Sequence, residues 1–571
     1  MPRRIVECVP NISEGRNRDA IDAVVKAASA VQGCRVLDVD PGAATNRTVI
    51  TLAGDPEAVL EAAFRLVEKA AQVIDMSKHS GAHPRQGATD VCPFVPVAGV
   101  TMEDCADLAR RLGARVGGEL GIPVYLYEKA ATRPSREKLP DIREGEYEAL
   151  PAKLGRPEWE PDFGPNEWTP AVARTGVTVI GARNFLIAYN VNLNTTDDSV
   201  AKEIALSIRD SGRTLRDSAW KFVRDQQGNK VQVPGLLAAC KATGWFIREY
   251  GCAQVTMNLT DISVTPLHLA FETTRTEAEK LGYRVTGSEI VGLVPLSSML
   301  EAGRYYLEKQ HEGTVATGRM AVSPGLPERA LVELAVRSMG LRDVARFDPD
   351  EKIIEYLVED RSVDLTGMSC AAFADELSTD SPAPGGGSVS ALAGALAAAL
   401  CAMVANLTVR SRDCAASWED ARRIAPRAQL LKEDLLRAVD DDTRAFNSMM
   451  EAMRRGGDVQ AAIRAAAEAP LGVLRKCPEI ASLALELASR GLQASISDAG
   501  VAAAAALCAA RGSCYNVLIN LAQMDDAEAR TAMAGEAVSL RDATASTAEM
   551  AMALIDAKLS GDLAGKTGGG R

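Results

Sequence analysis

The chain has 571 residues, of which 47% are apolar and 25% are charged. These fractions are typical of globular proteins and exclude a disordered or collagen-like chain, and the length predicts about three to four folding units. The net charge of −12 argues against general nucleic-acid binding, which depends on Lys and Arg contacts to phosphates. An anionic substrate would therefore need a local basic pocket.

The 12 cysteines are spread along the chain without a C-x-x-C pair or a zinc-site spacing. Scattered thiols of this kind are typical of a reducing compartment, so we expect a cytoplasmic location and no metal site. The N-terminus lacks the apolar stretch of a signal peptide.

Strand and helix patterns alternate over the first 190 residues. Their order, β-α-β-β-α-β, is that of a ferredoxin-like fold, to which a further helix and strand are added. The Pro-rich stretch 151–170 predicts a long surface loop. The predicted strands are 5–9, 35–40, 47–53, 91–97 and 124–127, and the predicted helices are 17–31, 56–75 and 103–117.

The same order of elements recurs between residues 184 and 294, interrupted by an inserted segment at 213–234. The predicted strands of this repeat are 184–192, 236–247, 254–261 and 289–294, and its predicted helices are 198–211 and 266–282. We therefore predict an α/β half made of two similar subdomains and, beyond a linker with a short helical stretch at 353–357, an all-α domain. The predicted boundaries are 1–182, 183–348, 349–366 for the linker, and 367–571.

The C-terminal region is rich in Ala and has helical patterns with short breaks, which predicts a helical bundle. Residues 389–409 carry no charge and are long enough to cross a bilayer. Their Ala-rich composition favours a central bundle helix instead, so we expect no membrane association and a homo-oligomer with contacts through the helical domain. The predicted helices are 371–379, 388–410, 418–454, 459–490, 498–522 and 526–559, followed by a frayed tail at 568–571.

Two glycine-containing segments resemble anion-binding loops. The segment 561–567 imitates a P-loop, but it has one residue too few between its glycines and lacks the flanking strand and helix. The run Pro384–Ser388 directly precedes a predicted helix. Ser388 could cap that helix, and the glycines could either approach an anion closely or form a plain turn.

The segment Lys78–Arg85 contains two of the four histidines, His79 and His83. Their spacing of four is that of a helical metal pair, but Gly81 and Pro84 disfavour a regular helix. A loop histidine beside Lys and Arg instead suggests acid/base chemistry on an anionic substrate. A surface histidine without a catalytic role is the remaining alternative.

A carboxylate interrupts an apolar stripe in the predicted helix 418–454. Asp442 falls on the stripe, whereas Asp440 and Asp441 lie off its centre and are expected to reach water. A carboxyl on an apolar face is either paired with a cation or has a raised pKa suited to proton transfer. Asp498 is a weaker candidate because it is expected to be a helix cap. The stripe consists of Leu435, Val439, Phe446, Met449 and Met453.

Longer motifs resemble a known family. Glu7–Gly15, Leu37–Asp40, Thr45–Thr48 and His83–Arg85, with the following residues to Phe94, look like glutamate formimidoyltransferase. Pro382–Ser388, Val439–Asp442 and Tyr515–Asn520 look like formimidoyltetrahydrofolate cyclodeaminase. Together these motifs cover nearly the whole chain in the order of the bifunctional enzyme of histidine breakdown.

The resemblance implies two reactions. The formimino group of N-formimino-L-glutamate would move to N5 of tetrahydrofolate, and the product would then close to 5,10-methenyltetrahydrofolate with release of ammonia. By resemblance, His83 is the acid/base of the transfer and Asp442 that of the deamination. Tetrahydrofolate, which can be polyglutamylated, would be a substrate rather than a resident cofactor. The alternatives are a transferase fused to a methenyltetrahydrofolate cyclohydrolase-like domain or to a non-catalytic oligomerisation domain.

The resemblance also implies three folate-binding segments. A Trp could stack on the pterin, and a Lys could meet the glutamate tail. The inserted segment 213–234 lies close in sequence to the second of them. The implied folate-binding residues are Gly164, Pro165, Asn166, Glu167, Trp168, Thr169 and Pro170, then Lys241, Gly244, Trp245 and Phe246, and finally Gly385, Gly386, Gly387 and Ser388.

Overall fold

The computed structural model describes residues 4–219, 221–316, 322–359 and 364–567. Their contacts divide them into two compact units. The α/β unit comprises residues up to 302 together with 335–359, and the helical unit comprises 303–334 and the residues after 360. The N-terminal region is thus mixed α/β and the C-terminal half is helical, as the sequence predicts.

The first sheet of the α/β unit has seven strands and packs three helices on one face. Strands β3, β4, β1 with β2, and β5 lie side by side and are antiparallel, and β7 and β6 continue the sheet in parallel to β5. The elements are β1 (Ile5–Cys8), β2 (Asn11–Ile12), α1 (Arg18–Ser29), β3 (Cys34–Gly42), β4 (Arg47–Gly54), α2 (Pro56–Val73), β5 (Thr89–Ala98), α3 (Met102–Glu119), β6 (Val124–Glu128) and β7 (Thr178–Ala182).

The stretch between β6 and β7 is irregular, as its prolines predict, but it is not a plain surface loop. Short helices α4 (Leu139–Ile142), α5 (Leu150–Lys153) and α6 (Pro170–Thr175) interrupt it. A buried ion pair of 2.7 Å joins Arg136 and Asp162 within the stretch, and Asp162 also accepts from the backbone N–H of Leu126 on β6 at 2.9 Å. Within 151–170 most residues are exposed or partly buried, as a surface loop predicts, and only Lys153, Leu154 and Pro161 are buried.

The second sheet has four antiparallel strands in the order β11-β12-β8-β13. This order matches β3-β4-β1-β5 of the first sheet, so both sheets carry a β-α-β-β-α-β sequence of elements. The inserted segment holds the two short strands of a separate ribbon, β9 (Arg213–Thr214) and β10 (Gln232–Val233). The remaining elements are β8 (Ile187–Leu193), α7 (Asp198–Ile208), β11 (Cys240–Ile247), β12 (Cys252–Leu259), α8 (Leu267–Lys280) and β13 (Val285–Val291).

Several helices between β13 and the main bundle are absent from the sequence prediction. The chain leaves β13 through α9 (Leu296–Ala316) and continues with α10 (Glu328–Ser338) and α11 (Pro349–Lys352) before α12 (Ile354–Leu357), which matches the short helical stretch expected in the linker. Residues 303–334 belong to the helical unit and 335–359 to the α/β unit. Gly325 is fixed in the helical unit by two hydrogen bonds of 3.0 Å with the Asn406 side chain.

The helical unit is built around an Ala-rich core, in which small side chains let helices approach closely. The sequence predicts one helix over 459–490, but the structure breaks it after Leu474, because Pro478 lies at the start of the next helix and donates no backbone hydrogen bond. The helices are α13 (Cys370–Leu377), α14 (Gly386–Arg410), α15 (Trp418–Arg455), α16 (Val459–Leu474), α17 (Cys477–Arg490), α18 (Ile496–Leu521) and α19 (Ala527–Thr567).

Two helical stretches among the described residues are long and apolar enough to cross a membrane by length and composition, α14 and Gln493–Leu521. The most apolar part of α14 is 61% buried within the protein, as in a core helix. The P-loop-like segment 561–567 forms the last turns of α19 and therefore lacks the strand–loop–helix setting of a phosphate site. The tail 568–571 lies outside the described residues.

Candidate active sites

The loop that carries His83 connects α2 with β5 and lies on the turn between β3 and β4. Asn46 in that turn has a left-handed backbone (φ 50°) and ties the two segments together. Its side chain accepts from the backbone N–H of Gly15 at 3.0 Å and donates to the carbonyl of Ser80 at 2.9 Å. A side chain at Gly81 would collide with the Thr45 backbone, so glycine allows this close approach. The turn therefore brings the neighbouring residue, Arg47, to the histidine.

His83 is half-buried and its imidazole is hydrogen-bonded to Arg47. The Arg47 guanidinium donates to Nε2 at 2.8 Å, which requires a lone pair on Nε2 and places the ring proton on Nδ1. Nδ1 is buried and has no hydrogen-bond partner among the described residues. Burial lowers the pKa of His83, and the charges of Arg47 and Arg143 lower it further. The structure thus holds a neutral imidazole, which is the form that accepts a proton.

A cavity of about 650 Å³ lies beside this loop. Arg143 enters it while forming an ion pair with Asp90, which is buried on β5. Arg85 also lines the cavity, where it binds Glu148 at 2.7 Å and Glu146 at 3.1 Å. The complete lining is Ser80, Gly81, Pro84, Arg85, Pro140, Arg143, Gly145, Glu146 and Glu148.

The basic neighbours of His83 differ from those that the sequence suggests. Lys78 is exposed and pairs with Asp75 at 3.1 Å, and Arg85 is neutralised by its two glutamates. The cations at the imidazole are Arg47 and Arg143 instead. Arg47 lies within a motif quoted above, whereas no local pattern marks Arg143, which is 60 positions from His83 along the chain.

The metal-pair alternative is not supported by the contacts of His79. Its Nε2 lies 3.0 Å from the carbonyl of Asn46, and its Nδ1 accepts from Arg85 at 3.3 Å. Both ring nitrogens thus have protein partners. Among the residues described, no group of three or more His, Cys, Asp or Glu side chains is arranged to hold a metal ion.

The first of the segments expected to bind folate, Gly164–Pro170, lies next to the cavity. Trp168 packs edge-on against Tyr147, with ring centroids 5.7 Å apart, and the Tyr147 backbone donates to the carbonyl of Arg85 at 2.9 Å. Other side chains of the segment make local contacts, since Asn166 accepts from the Gly155 backbone and Thr169 caps α6, of which Pro170 is the first residue. Pro165 is partly buried, while Gly164 and Glu167 are exposed.

The second segment expected to bind folate, Lys241–Phe246, lies on β11, an edge strand of the four-stranded sheet. Gly244 faces α7, where a Cβ would collide with the backbone of Lys202. Trp245 and Phe246 are 45% and 42% exposed, and Lys241 is exposed on the same side of the strand as Trp245. In the described part of the chain, no hydrogen bond, ion pair or ring contact joins this segment to His83.

The helical unit brings Asp442 to the first turn of α14. Ser388 Oγ donates to Asp442 Oδ2 at 3.2 Å and lies 3.1 Å from the Thr443 hydroxyl. Gly387 lies against the carboxyl, and a Cβ at this position would collide with it. A Cβ on Gly386 would lie 3.2 Å from the Asn516 side chain, so Asn516 from α18 lines the same helix start. The structure therefore joins three motifs that are distant in the sequence.

Burial raises the pKa of Asp442, and the hydrogen bonds from the Ser388 side chain and backbone oppose that effect. No cation pairs with this carboxyl among the described residues, which removes the alternative of an internal salt bridge. The prediction that Ser388 caps α14 is wrong, because the helix already begins at Gly386 with Gly385 as its cap. The glycines extend the helix into the position where a larger side chain would displace Asp442.

Two other acidic predictions need correction. Asp440 does not reach water freely, since it is 8% exposed and accepts from the backbone N–H of Leu365 at 2.8 Å and from Thr366. It fixes the segment that enters the helical unit, a contact that helical periodicity does not reveal. Asp441 is exposed as expected. Asp498 lies in the first turn of α18, whose cap is Ser495.

The α/β unit holds a neutral histidine beside a polar cavity, and the helical unit holds a carboxyl at a helix start. These features define the class of the protein as a two-domain enzyme. Three family models match the chain in succession. They are the formiminotransferase domain, N-terminal subdomain (5–183), the formiminotransferase domain (188–359) and formiminotransferase-cyclodeaminase (369–539). The chain belongs to the formiminotransferase-cyclodeaminase family.

Named relatives match either most of the chain or one part of it. A formimidoyltransferase-cyclodeaminase of Mus musculus is 44% identical over 92% of this chain and 93% of its own length. A glutamate formimidoyltransferase of Streptococcus pyogenes is 41% identical over 53% of this chain and 94% of its own length. A methenyltetrahydrofolate cyclohydrolase of Methylorubrum extorquens is 33% identical over 27% of this chain and 79% of its own length.

Proposed function

We propose that the chain catalyses two consecutive reactions of folate metabolism. It transfers the formimino group from N-formimino-L-glutamate to N5 of tetrahydrofolate, and then cyclises 5-formiminotetrahydrofolate to 5,10-methenyltetrahydrofolate with release of ammonia. The observation that carries this proposal is that each unit presents a titratable side chain, His83 or Asp442, that has no ion-pair partner of opposite charge among the described residues. Relatives that match over both units carry both activities in their names.

In the transfer step, N5 of tetrahydrofolate attacks the amidine carbon of the donor. The N5 proton passes to His83, and the C–N bond to glutamate breaks as a proton is delivered to the departing nitrogen. A neutral imidazole serves this role because it accepts the proton without first losing one. The lowered pKa of His83, caused by burial and by Arg47 and Arg143, keeps that form populated at neutral pH.

In the deamination step, N10 attacks the formimino carbon, closing the five-membered ring. The formimino group enters as its amidinium cation, so ring closure leaves an NH2 nitrogen on the former formimino carbon. Asp442 takes the N10 proton and gives it to that nitrogen, which leaves as ammonia with the bonding electron pair while the methenyl cation forms. The protonated carboxyl must exist between these two transfers, and burial stabilises that neutral form. Ser388 orients the carboxyl through its 3.2 Å hydrogen bond.

Folate would contact both units. We assign Gly164–Pro170 and Lys241–Phe246 to folate in the transferase, because an exposed Trp245 offers a stacking surface and Lys241 offers a cation for a glutamate or polyglutamate tail. We assign Gly385–Ser388 to folate in the helical unit, since this turn borders Asp442. Substitution of Trp245 by Ala should raise the KM for tetrahydrofolate in the transfer assay.

The decisive experiment supplies the purified chain with N-formimino-L-glutamate and tetrahydrofolate and follows methenyl-folate absorbance, glutamate and ammonia together. The proposal requires one ammonia for each methenyl-folate formed. Methenyl formation without ammonia would indicate cyclohydrolase-like chemistry of the helical unit. Release of glutamate without methenyl formation would indicate a helical unit that only mediates assembly.

We also propose finer features of the architecture. The shared strand order supports two ferredoxin-like subdomains within the predicted ranges 1–182 and 183–348, of which residues 303–334 belong to the helical unit. The α/β unit extends to residue 359, into the predicted linker at 349–366 that precedes the predicted helical domain at 367–571. Deletion of the inserted segment that holds β9 and β10 tests whether this segment is separate from the second subdomain. That deletion should leave thermal unfolding of the α/β unit unchanged.

A homo-oligomer through the helical unit is a further proposal. Exposed apolar side chains recur along α14 and α18, and exposed apolar patches of this kind are typical of subunit contacts. A monomer in light scattering would contradict it. The free state of the 12 thiols supports a cytoplasmic location, which cell fractionation tests. The exposed side chains are Leu396, Met403 and Leu407 on α14, and Val501, Tyr515, Leu518 and Ile519 on α18.

A further inference from the structure

The lining of the cavity beside His83 carries two adjacent clusters of opposite charge. The first, called the cationic end below, is Arg143, which extends from the C-terminus of α4 and interacts electrostatically with Arg47. The second is Arg85 with Glu146 and Glu148, in which one cation binds two carboxylates and a net negative charge remains. A ligand that suits this cavity carries an anion and a cation a few bonds apart.

The cationic end is suited to receive an anion. Asp90 is 1% exposed and holds the Arg143 guanidinium from behind. The Nε of Arg143 is buried and has no hydrogen-bond partner among the described residues. Burial lowers the pKa of Arg47, and the charge of Arg143 lowers it further, because the two cations repel each other. A bound carboxylate would relieve that repulsion and supply the missing acceptor.

We propose that this cavity binds the formimino donor, with one of its carboxylates on Arg143 and Arg47 and its cationic amidinium toward Glu146. This assignment rests on the proposed transferase function and names the residues that select the donor. N-formimino-glutamate has carboxylates and an amidinium on one short skeleton, and therefore matches the two adjacent charge clusters.

The donor carboxylate also prepares the base. Without a donor, the Arg47 N–H occupies the Nε2 lone pair of His83. A carboxylate is a stronger acceptor than a neutral imidazole, so Arg47 turns its N–H to the bound donor and Nε2 becomes available for the N5 proton. The cationic end thus positions the donor and frees the imidazole in the same event.

The test compares two donors in variants of the full chain. Arg143→Gln should lower kcat/KM at least about 30-fold with N-formimino-L-glutamate, since a charge-assisted pair contributes about 2–3 kcal/mol. With N-ethylformamidine, which has no carboxylate, the loss should be at least about tenfold smaller, because only the effect of Arg143 on the pKa of His83 is removed. Arg110→Gln, on the exposed face of α3, removes an equivalent charge and should change neither value.

Equal losses with both donors, or no loss with either, would overturn the assignment. If Arg143→Gln fails to fold because Asp90 is left buried without its partner, Asp90→Asn with Arg143→Gln removes both charges and the same donor comparison applies. A wild-type chain that transfers from neither donor would refute the proposed transferase itself. A wild-type chain that is active, combined with a donor-independent Arg143 variant, would refute only this binding site.

Discussion

The two candidate sites use burial to opposite effect on the pKa of their titratable groups. In the α/β unit burial and two cations lower the pKa of His83, whereas in the helical unit burial raises the pKa of Asp442. In both cases the uncharged form is favoured, which for an imidazole is the base and for a carboxyl is the acid. One physical cause therefore prepares a proton acceptor in one unit and stabilises a proton carrier in the other.

The sites also differ in what holds the group in place. A loop and a turn, fixed by Asn46, present His83 to a cavity that charged residues line. Two packed helices fix Asp442, and glycine at position 387 gives it room. Cations dominate the first site and helix packing the second, so substitutions should affect the two activities independently.

The largest effect is expected for Asp442→Asn, which keeps the shape and removes the proton-carrying group. Ammonia release should fall about 1,000-fold, within the range of general acid/base contributions, while formimino transfer persists. Asp441→Asn is the matched control, because Asp441 is exposed and pairs with Arg444 on the same helix. Full deaminase activity in Asp442→Asn would show that the assigned role is wrong.

His83→Ala should give the reciprocal result. Formimino transfer should fall about 100- to 1,000-fold because the N5 proton loses its acceptor. Deamination of added 5-formiminotetrahydrofolate by the same preparation should remain, and it serves as the control for folding. Parallel loss of both activities would contradict the independence of the two sites.

Gly387→Ala tests the packing that holds Asp442. The added Cβ collides with the carboxyl, so the deaminase rate should fall about 10- to 100-fold through misplacement of the catalytic group. Gly472→Ala on α16 is the control, since no atom lies within 4 Å of its Cβ. That control should keep full activity and stabilise the helix by about 0.5–1 kcal/mol.

The smallest expected effect is a shift in pH dependence. The proposed deamination starts from the carboxylate of Asp442, so activity should fall as the pH drops through its raised pKa. Ser388→Ala removes a hydrogen bond that lowers this pKa, and the acid limb should move to higher pH by less than about one unit. An unchanged pH–rate profile in Ser388→Ala would contradict an effect of the Ser388 hydrogen bond on the pKa of Asp442. Ser489→Ala on α17 provides a matched serine substitution remote from Asp442.

Periodicity predicts most of the fold and one of the two sites. Alternating strand and helix patterns and the Ala-rich bundle are local signals, and the structure has these elements with ends shifted by a few residues. Asp442 is detectable because a helix places residues at fixed angular intervals, which reveals a carboxyl beside Val439 and Leu435. The need for glycine at position 387 depends on the tertiary contact with Asp442 and is not visible locally.

The surroundings of His83 are less predictable for a physical reason. Its basic neighbours come from a strand and from the end of a short helix, and only tertiary packing brings them together. Arg85 looks like a free cation in the sequence, yet Glu146 and Glu148, about 60 positions away, neutralise it. Charge complementarity over such separations has no period to detect.

The two units do not simply follow one another along the chain. Residues 303–334 belong to the helical unit, but the chain returns to the α/β unit at 335–359 before the main helices begin. A cut anywhere between 349 and 366 would place the segment around Gly325 on one fragment and its hydrogen-bond partners Asn406 and Gln429 on the other. A nick by a protease at that point would leave the N-terminal fragment carrying residues 303–334, which belong to the helical unit.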